Sequence, residues 1–170
     1  IKSKKPDVVF YGGMDAQGAP MAVQLRSLGI QAKFLGGDGV QTSEFLKLAG
    51  ARAEGVTASS PGLPIDSMPG GKEFRQKFTS RFGTIQTYAP YAYDAVMTMV
   101  DAMKRADSAE PAKYLAELPR VQRAGVTGPI SFDERGDIRG GAITLYQVKN
   151  NKWEVLETVM GDAGQASAQK

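Results

Sequence analysis

The sequence predicts an α/β fold built on parallel strands, and three observations carry that prediction. Two apolar runs, Val8-Val9-Phe10-Tyr11 and Phe34-Leu35, each stop at a glycine pair with an aspartate close behind, giving Tyr11-Gly12-Gly13-Met14-Asp15 and Leu35-Gly36-Gly37-Asp38-Gly39. A helical stretch lies between them, so the unit reads as strand, helix, strand, and a parallel pair joined this way brings both glycine turns to one sheet edge. A third strand-like run occupies residues 55–59. In open α/β sheets ligands sit beyond the carboxyl ends of the strands, so the repeated turn points to a binding cleft.

The elements follow in order. After the first glycine turn, Met21, Leu25 and Leu28 share one face, and Pro20 is tolerable only in a first turn. With Gly29 as the stop, the spacing predicts a helix over residues 19–28. A shorter helix follows Asp38, with Thr42 or Ser43 as N-cap, Phe45, Leu46 and Ala49 facing inward and Gly50 ending it. Proline and glycine cluster at Ser60-Pro61-Gly62-Leu63-Pro64 and at Met68-Pro69-Gly70-Gly71, which marks a crossover between domains. Phe74, Phe78 and Phe82 recur every four residues before Gly83, an amphipathic helix. Over residues 90–105 the positions Ala92, Ala95, Val96, Met99, Val100 and Met103 form one stripe expected to be buried, with Asp94, Asp101 and Lys104 outside it. Ser108 is positioned to cap a short helix carrying Leu115 and Leu118 inward. A strand at Pro129-Ile130-Ser131-Phe132 leads into the turn Asp133-Glu134-Arg135-Gly136-Asp137. Gly140-Gly141 offers a second crossover. Residues 143–148 and 153–155 then form a hairpin over Asn150-Asn151, since asparagine tolerates positive φ.

Composition narrows the chemistry. The 170 residues are 42% apolar and 23% charged, the balance of a globular chain, with a net charge of +3. Lys2, Lys4 and Lys5 are the tight basic group, which gives no nucleic-acid footprint. Cysteine and histidine are both absent, which removes thiol nucleophiles, disulfides, the usual zinc sites and every triad with an imidazole base. No cofactor motif is present: neither glycine turn matches the dinucleotide or phosphate-binding fingerprints, and the acidic cluster at residues 133–137 lacks calcium-loop spacing. The opening Ile1-Lys2-Ser3-Lys4-Lys5-Pro6-Asp7 resembles the end of a surface helix running into a buried strand, so the chain is expected to be part of a longer protein.

Five residues stand out as candidates for binding. At Gly13 the backbone N–H groups can approach a ligand without a side chain in the way, though a glycine pair also serves a tight strand-to-helix connection. Asp38 lies between two glycines at a strand end, where its carboxylate can face a cleft and meet a cation, or close an Asx-turn or cap a helix. Asp15 carries the same alternatives, and it sits where a helix start wants a carboxylate. Tyr88, Tyr91 and Tyr93 surround Pro90, and helix spacing cannot bury all three on one face. Tyr88, just ahead of the helix, offers a ring face and a hydroxyl, or anchors the helix start. Met14 lies beside the first turn.

Taken together, Phe10-Tyr11-Gly12-Gly13-Met14-Asp15, Phe34-Leu35-Gly36-Gly37-Asp38-Gly39, the segment from Tyr88 to Ala95 and Thr127-Gly128-Pro129-Ile130-Ser131-Phe132-Asp133-Glu134-Arg135-Gly136-Asp137 resemble the branched-chain amino-acid-binding proteins of bacterial ABC importers. The resemblance covers the chain to about Thr158. It implies a type I periplasmic-binding-protein fold, with two parallel-sheet, Rossmann-like lobes joined by three crossovers, present here as an incomplete portion of both. Residues 1–61 and 141–158 would belong to the second lobe and residues 62–140 to the first, with residues 159–170 as a flexible tail. It also implies an acidic contact to the ligand α-ammonium at Asp38 and a pocket aromatic at Tyr88; Met14, and the candidates Gly13 and Asp15 read from the turn itself, complete the expected site. Met14 stands where the family often has an aromatic residue, an apolar but more adaptable wall.

The function so implied is non-enzymatic: a periplasmic protein that binds an aliphatic or branched-chain amino acid and delivers it to an ABC permease in the membrane. Two alternatives stand beside it, a ligand-sensing domain of a receptor or regulator with the same fold, and an enzyme using Asp15 or Asp38 as general base. The family's grip on the ligand carboxylate comes from the amino-terminal part of the first lobe and has no counterpart here. Weak or no amino-acid binding is therefore expected of this chain alone. Open sheet edges and apolar helix faces are expected too, to be covered by a missing amino-terminal half or by a second copy through dimerisation or segment swapping.

Overall fold

The computed structural model describes residues 1–161; of the flexible tail expected over residues 159–170, Val159 and Met160 instead end the last strand, and residues 162–170 lie outside the described ones. Its elements are β1 (Val8–Tyr11), α1 (Asp15–Ser27), β2 (Lys33–Gly36), α2 (Ser43–Ala49), β3 (Thr57–Pro61), α3 (Gly71–Phe82), α4 (Ala89–Ala106), α5 (Pro111–Tyr114), β4 (Arg123–Ala124), β5 (Pro129–Ile130), β6 (Ala142–Lys149) and β7 (Lys152–Met160). They fall into two compact units, one formed by Ile1–Gly62 with Ile143–Val159, the other by Leu63–Ala142 with Met160 and Gly161.

The first unit is a five-stranded sheet in the order β1-β2-β3-β6-β7. β1, β2 and β3 run parallel, and β6 returns antiparallel to β3. The register pairs Val9 with Phe34 and Tyr11 with Gly36, so the apolar alternation of both strands points to the same face. Phe34, Ala58 and Val148 on that face pack with Ala19, Ala22 and Leu25 of α1 and with Phe45 and Ala49 of α2 into one core. Phe45 stacks obliquely on Phe34 at 6.3 Å and on Trp153 at 5.8 Å between ring centroids. Burial of these rings is the main force holding the layer.

The opposite sheet face is different. Val8, Phe10 and Ile143 point there, and all three are exposed, Phe10 at 68%. β1 is an edge strand. The parallel part of a sheet is ordinarily covered on both faces, and among the described residues this outer face is open at Val8, Phe10 and Ile143.

α1 begins four residues earlier than its stripe predicts, which places Pro20 inside the helix. The early start is possible because Gly18 has no side chain: a Cβ there would lie 2.9 Å from both the Tyr11 ring and Val40. The hairpin of β6 and β7 turns at Asn150 and Asn151 with φ of 51° and 57°, the left-handed pair that a two-residue turn requires.

In the second unit α3 ends where Phe82 meets Gly83, and Phe74 and Phe78 form a ring ladder that Tyr93 joins at 5.5 Å from Phe74. α4 corrects the sequence reading. Its packed residues are Pro90, Asp94, Thr98 and Ala102, while Ala92, Ala95, Val96 and Met99 are exposed. The reason is Asp94, only 3% exposed. Its carboxylate accepts hydrogen bonds from the backbone N–H groups of Val126 and Thr127, at 2.9 and 2.8 Å, and from the Thr127 hydroxyl at 2.7 Å. Arg123 adds an ion pair to Asp101 at 2.9 Å. These bonds turn the polar side of the helix toward the short β4–β5 ribbon and leave its apolar stripe uncovered. The helix after Ser108 is likewise shorter than expected, and Leu115 is exposed. The Ser108 hydroxyl accepts from Glu110 N instead.

Candidate functional site

Parallel pairing of Tyr11 with Gly36 sets the ends of β1 and β2 side by side. The chain leaves β1 through Gly12 and Gly13 to Met14, the N-cap of α1. It leaves β2 through Gly37 into a single 3-10 turn, Asp38–Val40, held by Val40 N–H to Gly37 O at 3.2 Å and Gln41 N–H to Asp38 O at 3.0 Å. The two turns pack on each other. A Cβ on Gly39 would lie 2.6 Å from the Gly13 carbonyl oxygen and 2.7 Å from the Met14 sulfur, so glycine at position 39 is what allows the approach. Beneath the second turn Val40 is fully buried in the core.

Four of the five residues singled out from the sequence therefore share one rim of the first unit. Gly13 and half-buried Asp38 lie on the touching turns, and Met14 is 54% exposed between them. Asp15 opens α1, and both its oxygens are used within the chain. Oδ1 accepts Ala16 N–H at 2.8 Å, and Oδ2 accepts the Thr42 hydroxyl at 2.7 Å. The fifth residue, Tyr88, belongs to the second unit, where it is the N-cap residue of α4 and partly exposed; its carbonyl accepts Ala92 N–H.

The sequence marks Thr42 only as one of two candidate helix caps and places residue 153 only in a hairpin strand. Thr42 does cap α2, accepting Phe45 N–H at 3.0 Å, but Trp153 Nε1 also donates to the Thr42 carbonyl at 2.9 Å. Nothing local signals a tie across 111 residues. Among the described residues no group of three acidic side chains is arranged to hold a metal ion. An aromatic hollow of about 560 Å³ beside Phe74, Phe78, Phe82 and Tyr93 lies on the second unit, and none of the five candidates lines it.

A family model described as periplasmic binding protein matches residues 1–152. The chain belongs to the periplasmic binding protein family. This is a family of binding proteins and not of enzymes. The Leu/Ile/Val-binding protein homolog 1 of Brucella suis is 30% identical over 157 residues, which cover 91% of this chain and 40% of the relative. The leucine-specific-binding protein of Salmonella typhimurium is 28% identical, over 86% of this chain and 40% of its own length. Among solved structures, the leucine binding protein LivK of Thermotoga maritima superposes with a TM-score of 0.83 at 26% identity, over 95% of this chain and 47% of that one. The fold is accordingly that of the type I periplasmic binding proteins. The chain spans less than half the length of the relatives it matches. Among the described residues no helix is long and apolar enough to cross a membrane.

Proposed function

We propose that this periplasmic binding protein chain is the carboxy-terminal portion of the substrate-binding component of an ABC-type importer, working outside the cytoplasmic membrane with an aliphatic or branched-chain amino acid as ligand. The observation that carries the reading is the pair of interlocked glycine turns at the carboxyl ends of β1 and β2, with Asp38 on the second. In this reading the Asp38 carboxylate accepts the α-ammonium, Met14 and the backbone at Gly13 wall the aliphatic chain, Asp15 stands beside them, and Tyr88 supplies an aromatic surface from the second unit. Relatives named for binding leucine, isoleucine and valine support the ligand class. In the same reading the first unit and the hairpin belong to one lobe, the second unit to the other, and an ABC permease in the membrane receives the ligand.

The uncovered surfaces fit this reading. The open sheet face at Val8, Phe10 and Ile143 calls for helices, the edge of β1 for a strand, and the apolar stripe of α4 for a sheet or helix layer. The relatives that this chain matches are more than twice as long as the stretch they share with it, which favours an amino-terminal half over a second copy as the partner.

Calorimetric titration of the full-length natural polypeptide with L-leucine, L-isoleucine and L-valine tests the function. A hydrogen bond to a charged group contributes about 1.5–3 kcal/mol, so Asp38→Asn is expected to weaken binding about 10- to 100-fold. Wild-type affinity in that variant would remove Asp38 from the site, and no binding of any of the three by the unaltered protein would remove the ligand class.

A further inference from the structure

Thr42 lies four residues past Asp38, and its pair with Asp15 touches three elements at once. The Thr42 hydroxyl has one proton and two lone pairs. It gives the proton to Asp15 Oδ2 at 2.7 Å and takes the Phe45 N–H at 3.0 Å on one lone pair, so the one hydroxyl ties α1 to α2. Its carbonyl is held by Trp153 of β7 at 2.9 Å. The Trp153 ring itself rests on Phe45, which is fully buried.

The segment between β2 and Thr42 has little freedom of its own. Its start is fixed by the β1–β2 ladder at Gly36, and its middle by buried Val40 and by the close approach of Gly39 to Gly13. Its end is fixed at Thr42, whose N–H also donates to Val40 O at 2.8 Å. Asp38 is the residue suspended between these anchors.

We propose that Asp15 and Thr42 are positioning residues that fix the turn carrying Asp38, so that the first aspartate of the repeated motif acts on the ligand only through the second. The inference rests on the reading of Asp38 as the contact to the α-ammonium. A functional group at a binding site needs supporting bonds to hold its geometry. At metal sites, removing such an outer partner costs 10- to 100-fold in affinity, and a loss of about tenfold is expected here.

The test is made on the full-length natural polypeptide. Thr42→Val keeps the side-chain volume and removes both hydroxyl bonds; Thr42→Ser restores them. Amide hydrogen exchange is read at Val40 and Gln41, whose N–H groups close the turn, and at Phe34 and Val148 in the core. Affinity for L-leucine, L-isoleucine and L-valine is read by calorimetry in wild type, Thr42→Val, Thr42→Ser, Asp38→Asn and the Thr42→Val/Asp38→Asn double variant. The expected result has four parts: faster exchange at Val40 and Gln41 alone, about tenfold weaker binding in Thr42→Val, recovery in Thr42→Ser, and no additional loss from Thr42→Val once Asp38 is already asparagine. Unchanged affinity in Thr42→Val, or the same loss on both backgrounds, overturns the positioning role while leaving Asp38 in place. Wild-type affinity in Asp38→Asn, or no binding by the unaltered protein, overturns the site reading and this inference with it.

Discussion

The sheet of the first unit and the long helix of the second carry equally clear apolar patterns, and the chain treats them in opposite ways. In the first unit Ala19, Ala22 and Leu25 of α1 and Phe45 and Ala49 of α2 meet the inward face of the sheet, and Phe34, Val40 and Phe45 are buried, while Leu28 of the expected α1 stripe is 57% exposed. In the second unit the stripe of α4 faces outward, with Val96 at 53% exposure, while Asp94 and Thr98 are packed. The period of an amphipathic helix says which face will be buried when a layer is available. It does not say that the layer belongs to the same stretch of chain. The outer face of the β1–β2 sheet teaches the same lesson from the other side, since Phe10 alternates correctly and is still uncovered.

The comparison breaks most visibly if the two kinds of apolar residue cost the same to remove. Phe45→Ala empties a fully buried site against two other rings and is expected to destabilise the fold by about 3–5 kcal/mol. Val96→Ala in this chain is expected to stay within about 0.5 kcal/mol, as surface substitutions do. Chemical denaturation measures both. In the full-length natural polypeptide the Val96→Ala cost should rise toward about 2 kcal/mol if a layer covers α4 there. A cost that stays near zero would mean that the stripe is uncovered in the complete protein as well.

Next in size is the carboxylate that turned α4 around. Asp94→Ala removes the acceptor of three hydrogen bonds and strands two partly buried backbone N–H groups, an expected loss of about 3 kcal/mol. Asp94→Asn should fall between, because the amide oxygen can satisfy some of those donors while its NH₂ faces the rest. Thermal melting of the three proteins gives the order. An Asp94→Ala variant as stable as wild type would show that the β4–β5 loop is not what holds the helix.

Much of the first unit was legible because its signals are local. Strand runs ended by glycine pairs, Thr42 before a short apolar helix, Gly29 after another and Asn150-Asn151 between two strands each fix a dihedral or a cap within a few residues. Parallel pairing followed from the helix between the runs, and with it the meeting of the two glycine turns. The start of α1 was missed because the room for it depends on Gly18 facing Tyr11 and Val40, a relation between three elements. The orientation of α4 was missed because Asp94 finds its donors 32 and 33 residues downstream. The sequence did show both ends of that bond, in the Tyr88–Ala95 segment and at Thr127-Gly128, but as separate motifs. Among the candidate site residues, what was not legible is the use to which Asp15 is put, since its partner Thr42 is 27 residues away.

A second aspartate of the same unit sharpens the comparison at its smallest scale. Asp133, like Asp94, accepts backbone N–H groups, here those of Arg135 and Asp137 at 2.9 Å each, but it does so in a solvent-exposed turn. The donors at Asp137 and Arg135 hold its carboxyl below the ordinary aspartate value. A carboxyl whose folded value is depressed contributes stability that is complete above its unfolded value, about 3.9, and is lost as pH falls through the folded value. The effect is therefore confined to pH below about 4. Asp133→Asn keeps one acceptor oxygen and removes the titration, so the stability difference between variant and wild type should be flat above about pH 5 and change only below about pH 4. Carbon-detected NMR titration of the Asp133 carboxyl reads the same quantity directly. A value at or above that of an unstructured aspartate would show that the two N–H groups do not hold the charge, and the contrast with buried Asp94 would then be one of bonding and not of solvent.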